Sequence, residues 1–370
     1  MDHRSPLPGI CSVATAVAFF VAAGPVAAGL EKPLQAEATA AIQQALGYLA
    51  KAQNADGWWS SPDFPGLSGL AVQAFLLAPG PARDDGAAVR KGLDFIRSSA
   101  KPDGGIYNKG MANYNTSIAL TTLLRADRVE DVPRIEAARK FLLGGQKSGA
   151  GKPGDDGGFG YEPEGKRSRP DLDNTVFAVE ALALYRDKHR TVEKIGQPDL
   201  DWEAAIDFVS RCQNLPGSNP AEWASDDPAE KGGFTYTPEG CQDGTHSYGT
   251  MTYSGLLSLV HARVAADDPR VKAAVDWLSR RYSVDENPGL GEQGLYYYYF
   301  VMAKALTVAE IGQLDAGGRK VEWRSELARK LISLQRADGS WSNRNGRWME
   351  QDPALATSYA VITLGSLCSD

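Results

Sequence analysis

Apolar residues recur along most of this chain at helical spacing, in stretches broken by short glycine-bearing turns. Near the C-terminus Trp323, Leu327, Leu331 and Leu334 mark one helix, and Leu355, Tyr359 and Ile362 mark the next. Near the other end Ala41, Ala45 and Leu49 precede a turn, and Leu70, Val72 and Phe75 follow it. The turns share a phrase, a Gly-Gly or Asp-Gly followed by an aromatic. It is seen in Gln53 to Trp58, Pro102 to Tyr107, Asp156 to Phe159, Lys231 to Phe234 and Gln335 to Trp341, with a degenerate copy in Asn287 to Gly291. Recurrence at roughly 50 to 75 residues points to stacked supersecondary units. Glycine and aspartate end one helix and turn the chain, while the glutamine and the aromatic tie the turn to its surroundings.

The pattern predicts twelve helices in six pairs. The first helix of each pair is charged, as in Asp84 to Lys101, Asp201 to Gln213, Pro269 to Tyr282 and Val321 to Gln335. The second is dominated by Ala, Ser, Thr and Leu. Such asymmetry predicts an outer ring of helices facing water and an inner ring facing an axis. No polar capping repeat stands at either end, which favours closure into an all-α barrel over an open stack. Two long loops, Ser148 to Pro170 and Asn214 to His246, both lie between the helices of a pair and gather at one rim.

Composition changes this picture in three places. Arg4 precedes an apolar run from Ile10 to Ala23 that ends in small residues, which reads as a signal peptide over residues 1–28, cut after Ala28, with the barrel over 29–370. The run is too short to span a bilayer, and no transmembrane segment is expected in the mature, exported chain. Lys and Arg number 39 and Asp and Glu 46, a net charge of −7, which argues against a nucleic-acid partner. Cys11 leaves with the leader, and Cys212, Cys241 and Cys368 form no metal or disulfide framework, although Cys212 and Cys241 flank one long loop that a bridge would close after export. No phosphate-binding glycine loop is present, and no cofactor and no metal are implied.

The phrase Gln-x-x-x-Gly-x-Trp, at Gln53 to Trp59 and at Gln335 to Trp341, resembles the QW motif of squalene and hopene cyclases. The resemblance implies an (α/α)6 barrel, or toroid, shared by terpenoid cyclases, protein prenyltransferases and thioester domains. Pro170-Asp171-Leu172-Asp173-Asn174-Thr175, opening the third inner helix, resembles the Asp-x-Asp-Asp-Thr motif of class II terpene cyclases. In that family the middle carboxyl, here Asp173, protonates an alkene or epoxide; in a cyclase-like reading of this chain Asp171, Asn174 and His246 would support it. Asn174 departs from the motif's last aspartate. Protonating a hydrocarbon needs a neutral carboxylic acid held away from water, and aromatic faces that stabilise the resulting cation. An aspartate here can equally be a helix N-cap.

The other branches fit less well. Where prenyltransferases hold zinc, this chain has Asp243-Gly244-Thr245 and Ala356-Thr357-Ser358-Tyr359, so two of three ligands are missing. Gly289-Leu290-Gly291-Glu292-Gln293 lacks the sulfur of a thioester motif. The remaining rim residues, Asn113, Asn115, Tyr248, Tyr253, Gln293, Tyr297, Trp348, Glu350 and Tyr359, are candidates for substrate binding. Of Tyr296 to Tyr299 only one or two can face the axis, because successive residues rotate by about 100° around a helix. Three readings stay open. One is a cyclase-like enzyme that cyclises or isomerises an isoprenoid. Another is a non-catalytic barrel that binds a lipid, another apolar small molecule or a peptide. The third is an exported carbohydrate-active barrel with Asp173 and Glu350 as paired carboxylates. With length for one barrel only, the chain would hold a small ligand along its axis, or assemble with a partner barrel or a second copy.

Overall fold

Each helical pair begins with an amphipathic helix and continues with one that is buried almost all round. In a computed structural model, which describes residues 29–80, 86–149, 154–189, 198–240 and 247–369, the helices are α1 (Lys32–Ala52), α2 (Pro65–Leu77), α3 (Ala87–Ser98), α4 (Ala112–Ala126), α5 (Val132–Gly145), α6 (Leu172–Lys188), α7 (Trp202–Arg211), α8 (Gly249–His261), α9 (Pro269–Arg280), α10 (Leu295–Val308), α11 (Trp323–Leu334) and α12 (Pro353–Cys368). The contrast is plain in the last pair. Helix α11 buries only Trp323, Leu327, Ala328 and Leu331, whereas α12 buries every residue but Pro353 and Ser366. One apolar stripe suits a helix with one face to water, and an apolar surface all round suits a helix enclosed by others.

The even-numbered helices pack in the cyclic order α2, α4, α6, α8, α10, α12 and back to α2, and so form a closed inner ring. The odd-numbered helices lie outside it, α3 on α2, α5 on α4, α9 on α8 and α1 on α12. The fold is therefore an all-α barrel of six hairpins, as the pattern predicted. Among the described residues no helix is long and apolar enough to cross a membrane. One small addition was not foreseen, a hairpin of β1 (Leu314–Ala316) and β2 (Arg319–Val321) between α10 and α11.

The repeated phrase is the joint that closes the ring. Gln53 Nε2 donates to Gly57 O in its own turn and to Ala88 O at the start of α3, both at 2.9 Å. Gln146 and Gln213 do the same toward α7 and α9. Gln335 Nε2 reaches Gly339 O at 3.0 Å and Ala41 O of α1 at 2.8 Å, joining the last pair to the first. The apolar residues two positions after the turn glycines are held as regularly. Backbone N–H groups of Trp59, Ile106, Phe159, Phe234 and Trp341 each donate to a hydroxyl of the following inner helix, at 2.9–3.0 Å. Gly157 shows why the turn needs glycine: its φ is +92°, and a Cβ there would lie 1.8 Å from Ala204 O.

Because every outer-to-inner connection lies at the same end, the loops 146–171, 212–240 and 335–352 share one rim with the N-termini of the inner helices. Residues 1–28, where a signal peptide is expected, and Cys241 lie outside the described residues.

Candidate active site

The first turn of α6 is built so that one carboxylate is used up and another is left over. Asp171 caps the helix from an extended backbone, its Oδ1 accepting the Asn174 N–H at 2.8 Å. The Asn174 amide turns back onto the same carboxylate, Nδ2 lying 3.0 and 2.8 Å from its two oxygens. Thr175 Oγ1 donates to Asp171 O at 2.6 Å and receives the Phe159 N–H. The Asp171 N–H donates to Phe159 O, and the Leu172 N–H to Tyr236 O. Of the acidic motif, Asp171, Asn174 and Thr175 thus tie the long loops to the helix, and Asp171 takes the N-cap role that aspartate favours. Only Asp173 points into the barrel.

There it meets the far wall. The Tyr297 hydroxyl of α10 donates to Asp173 Oδ1 at 2.5 Å. Helices α6 and α10 are not neighbours in the ring, since α8 stands between them, so this bond crosses the interior. Rings close around it: Phe177 stacks on Tyr297 with centroids 5.9 Å apart, Tyr114 meets Phe177 edge-on at 5.1 Å, and Tyr359 lies 5.6 Å from Tyr297 and 5.1 Å from Phe300. Tyr161 and Tyr236 from the two long loops face the same carboxyls, and their hydroxyls are 3.4 Å apart.

Burial governs the electrostatics. It pushes Asp173 up to about 6, opposed by the Tyr297 hydrogen bond. It pushes Asp171 up to about 8, with the neighbouring Asp173 charge acting in the same direction and the Asn174 hydrogen bonds opposing it. Tyr161 is pushed up to about 12, first by burial and then by Asp173, and Tyr297 is held well above the ordinary phenol value for the same two reasons. The phenols therefore stay protonated, and the carboxyl pair holds on to a proton at a pH where exposed aspartates have lost theirs.

No family model matches the chain, and no curated protein matches it. Solved structures do. The type II terpene cyclase MstE from Scytonema aligns with a TM-score of 0.55 at 14% identity, over 90% of this chain and 98% of that one. The same cyclase in complex with its substrate, geranylgeranyl dihydroxybenzoate, aligns at 0.53 and 14% identity, over 92% and 99%. The Candida albicans protein geranylgeranyltransferase-I complexed with GGPP aligns at 0.50 and 14% identity, over 87% and 90%. The fold is the α/α toroid of terpene cyclases and protein prenyltransferases.

The toroid sorts the residues singled out from the sequence. Asp173, Tyr297 and Tyr359 come together inside it, and Tyr297 is the one tyrosine of its run that faces the axis. Tyr298 and Tyr299 are fully buried, and their hydroxyls donate to Ser283 O and Val284 O beyond α9. Tyr253 packs on Tyr298 at 5.7 Å, and Tyr248 is the buried N-cap residue of α8.

Both asparagines of α4 are structural ties. Asn113 Nδ2 donates to Gly160 O at 2.9 Å, while Asn115 accepts the Gly66 N–H at 2.9 Å and donates to Gly110 O and Met111 O. Glu350 is spent as the cap of α10. It accepts the Tyr297 N–H at 2.7 Å and Asn343 Nδ2 at 2.8 Å, and Gly294, at φ +62°, supplies no cap of its own. Trp348 is 50% exposed on the rim and covers Gly294, and Gln293 is partly exposed beside it, its carbonyl accepting from Asn287. Asp243, Thr245 and His246 lie outside the described residues.

Four further participants were not foreseen. Phe177 and Glu180 follow Asp173 by four and seven residues on α6, and Phe300 and Lys304 follow Tyr297 by three and seven on α10. The signal was present as helical register, which puts these positions on one face. Glu180 and Lys304 form a second bridge across the interior, with Arg125 Nη2 at 3.8 Å from Glu180 and Lys304 Nζ at 4.3 Å from the Phe300 ring. Burial and the Glu180 charge act oppositely on Lys304, and burial prevails, lowering it. Between the two bridges the rings of Phe177, Tyr297 and Phe300 pack against one another across the interior.

Proposed function

We propose that this chain is an acid-initiated catalyst of the terpene-cyclase kind, which cyclises or isomerises an isoprenoid alkene or epoxide within a single toroid. The observation that carries the reading is Asp173: a carboxyl inside the barrel, held above its ordinary range by burial and surrounded by aromatic faces from α4, α6, α10 and α12. In its neutral form it would deliver a proton to a double bond or epoxide oxygen. The cation so formed would lie against Tyr114, Phe177, Tyr297 and Tyr359, whose faces attract positive charge. Loss of a proton from a neighbouring carbon ends the reaction and restores the acid, so no cofactor enters the balance.

Substrate would enter from the loop rim, because rings fill the interior below Asp173. The alignment with a terpene cyclase over nine-tenths of this chain supports the choice of reaction through the fold it shares. In our reading residues 1–28 direct export, and the substrate is an isoprenoid met outside the cytoplasm. A non-catalytic binder of an apolar molecule is the second reading, favoured by the ring-filled interior, which leaves a shallow site. The carbohydrate reading loses its second acid, because Glu350 is committed to backbone N–H groups of α10.

The test is incubation of the purified protein with squalene and with geranylgeranyl compounds, followed by product analysis by gas chromatography and mass spectrometry. Cyclic or rearranged products from the native chain, absent with a folded Asp173→Asn variant, are the expected result. Equal turnover by that variant would remove the proposal.

A further inference from the structure

The role of the motif's last carboxylate is vacant here, since Asn174 turns its amide onto Asp171 and away from Asp173. The group that does reach Asp173 comes from the other side of the barrel. We infer that Tyr297 is the positioning residue for Asp173, fixing which oxygen carries the acidic proton and setting how readily it leaves. The inference rests on the proposed role of Asp173 and adds the device that tunes it.

The geometry leads there in three steps. The Tyr297 hydroxyl donates to Oδ1, so the proton of neutral Asp173 belongs on Oδ2. Among the described residues Oδ2 has no hydrogen-bond partner, which leaves that proton available to a ligand. A phenol held well above its ordinary range cannot itself give up the proton, so Tyr297 acts as a fixed donor and not as a second acid. Such a donor stabilises the carboxylate left after proton transfer more than the neutral acid, and so strengthens the acid. The phenol is immobilised for this. Its ring is stacked on Phe177 and bounded by Phe300 and Tyr359, and its backbone N–H is tied to Glu350.

The other ionisable groups facing Asp173 are accounted for. Asp171 lies on its own helix, Tyr161 and Tyr236 on the loops, Tyr114 on α4 and Tyr359 on α12. Among the described residues these are phenols and a carboxyl, and the cation Arg167 stands behind them, its guanidinium 4.5 Å from the Tyr161 ring centroid. Tyr297 is thereby the one described side chain that hydrogen-bonds Asp173.

The decisive measurement is the ionisation of Asp173 itself, followed by the infrared carboxyl band that disappears in Asp173→Asn, in the native chain and in Tyr297→Phe. Phenylalanine keeps the ring stack, and circular dichroism and thermal melting verify the fold. Loss of the donor is expected to raise the midpoint by about one pH unit or more, as removal of a hydrogen bond to a charged group should. An unchanged or lowered midpoint in folded Tyr297→Phe would overturn the inference. Turnover, where present, should fall in kcat more than in KM, and its alkaline limb should move up with the midpoint. Because the infrared titration needs no substrate, it stands apart from the cyclisation assay. Absence of products would refute the proposed reaction while leaving the Tyr297 coupling to be judged by its own shift.

Discussion

Helices α6 and α10 join polar side chains across the interior twice, about two turns apart, and the two contacts are opposite in kind. Near the loop rim an acid meets a neutral phenol, and a second acid stands two residues away, with no base hydrogen-bonded to either among the described residues. Farther down, Glu180 meets Lys304, with Arg125 close by. The lower contact resolves its charge: Glu180 is drawn below its ordinary value by Lys304, His261 and Arg125 despite burial. The upper one leaves its charge unresolved, and both carboxyls rise. Helix direction sharpens the contrast, because Arg125 sits in the last turn of α4, where the macrodipole favours a cation. One pair is placed for stability. The other keeps a proton on a buried acid at the expense of stability, and the proposed reaction depends on that proton.

If that distinction is right, breaking each contact should do different things. The largest effect on stability belongs to the lower contact. Glu180→Gln leaves Lys304 buried without its counter-charge and should cost about 3–5 kcal/mol in chemical denaturation, whereas Glu180→Leu with Lys304→Met should recover most of it. A comparable loss in both variants would mean that packing, not charge, is at stake.

The upper contact should show itself in the pH dependence. A carboxyl raised on folding contributes stability that is full below the unfolded value, near 4, and is lost as pH climbs through the folded value, about 6 for Asp173 and about 8 for Asp171. The native chain should therefore weaken between pH 4 and 8, and Asp173→Asn should remove up to about 3 kcal/mol of that decline. Identical stability profiles for the two proteins would deny that Asp173 ionises in a buried place.

The smallest effect tests a region remote from both contacts. Gln335→Ala removes two hydrogen bonds, one within the last turn and one joining it to α1, which should cost about 1–2 kcal/mol with no change in the ionisation of Asp173. Thermal melting and the infrared titration would read the two halves of this expectation.

The ring was legible in the sequence because its joint repeats. A glycine and an apolar residue two positions on recur in the same turn, a glutamine at the end of the preceding helix spans it in four of the six pairs, and Gln335 to Ala41 closes what Gln53 to Ala88 begins. The hairpin at Leu314–Val321 escaped notice because two strands of three residues leave almost no alternation to read. In the site, Asp173 and Tyr297 were legible from motif and register.

Asn113 and Asn115 were not, since an amide at a helix start can face a ligand or a neighbouring backbone, and only tertiary packing chooses. Glu350 was open for the same reason: its loop sets it over the N–H groups of α10, a contact between segments 53 residues apart. Phe177 and Glu180 carried no motif at all. Their importance appears only once α6 is known to lie opposite α10.

Gln35 of α1 donates to the carbonyl of Cys368 at 3.1 Å, so the two ends of the described chain finish side by side. A circle of hairpins whose beginning and end adjoin has no privileged starting point. The chain could be cut between any two hairpins at the rim away from Asp173 and rejoined where Gln35 meets Cys368, and the same circle would be drawn in a different order. The order of the hairpins in space, and not their order along the chain, is what brings Asp173 to Tyr297.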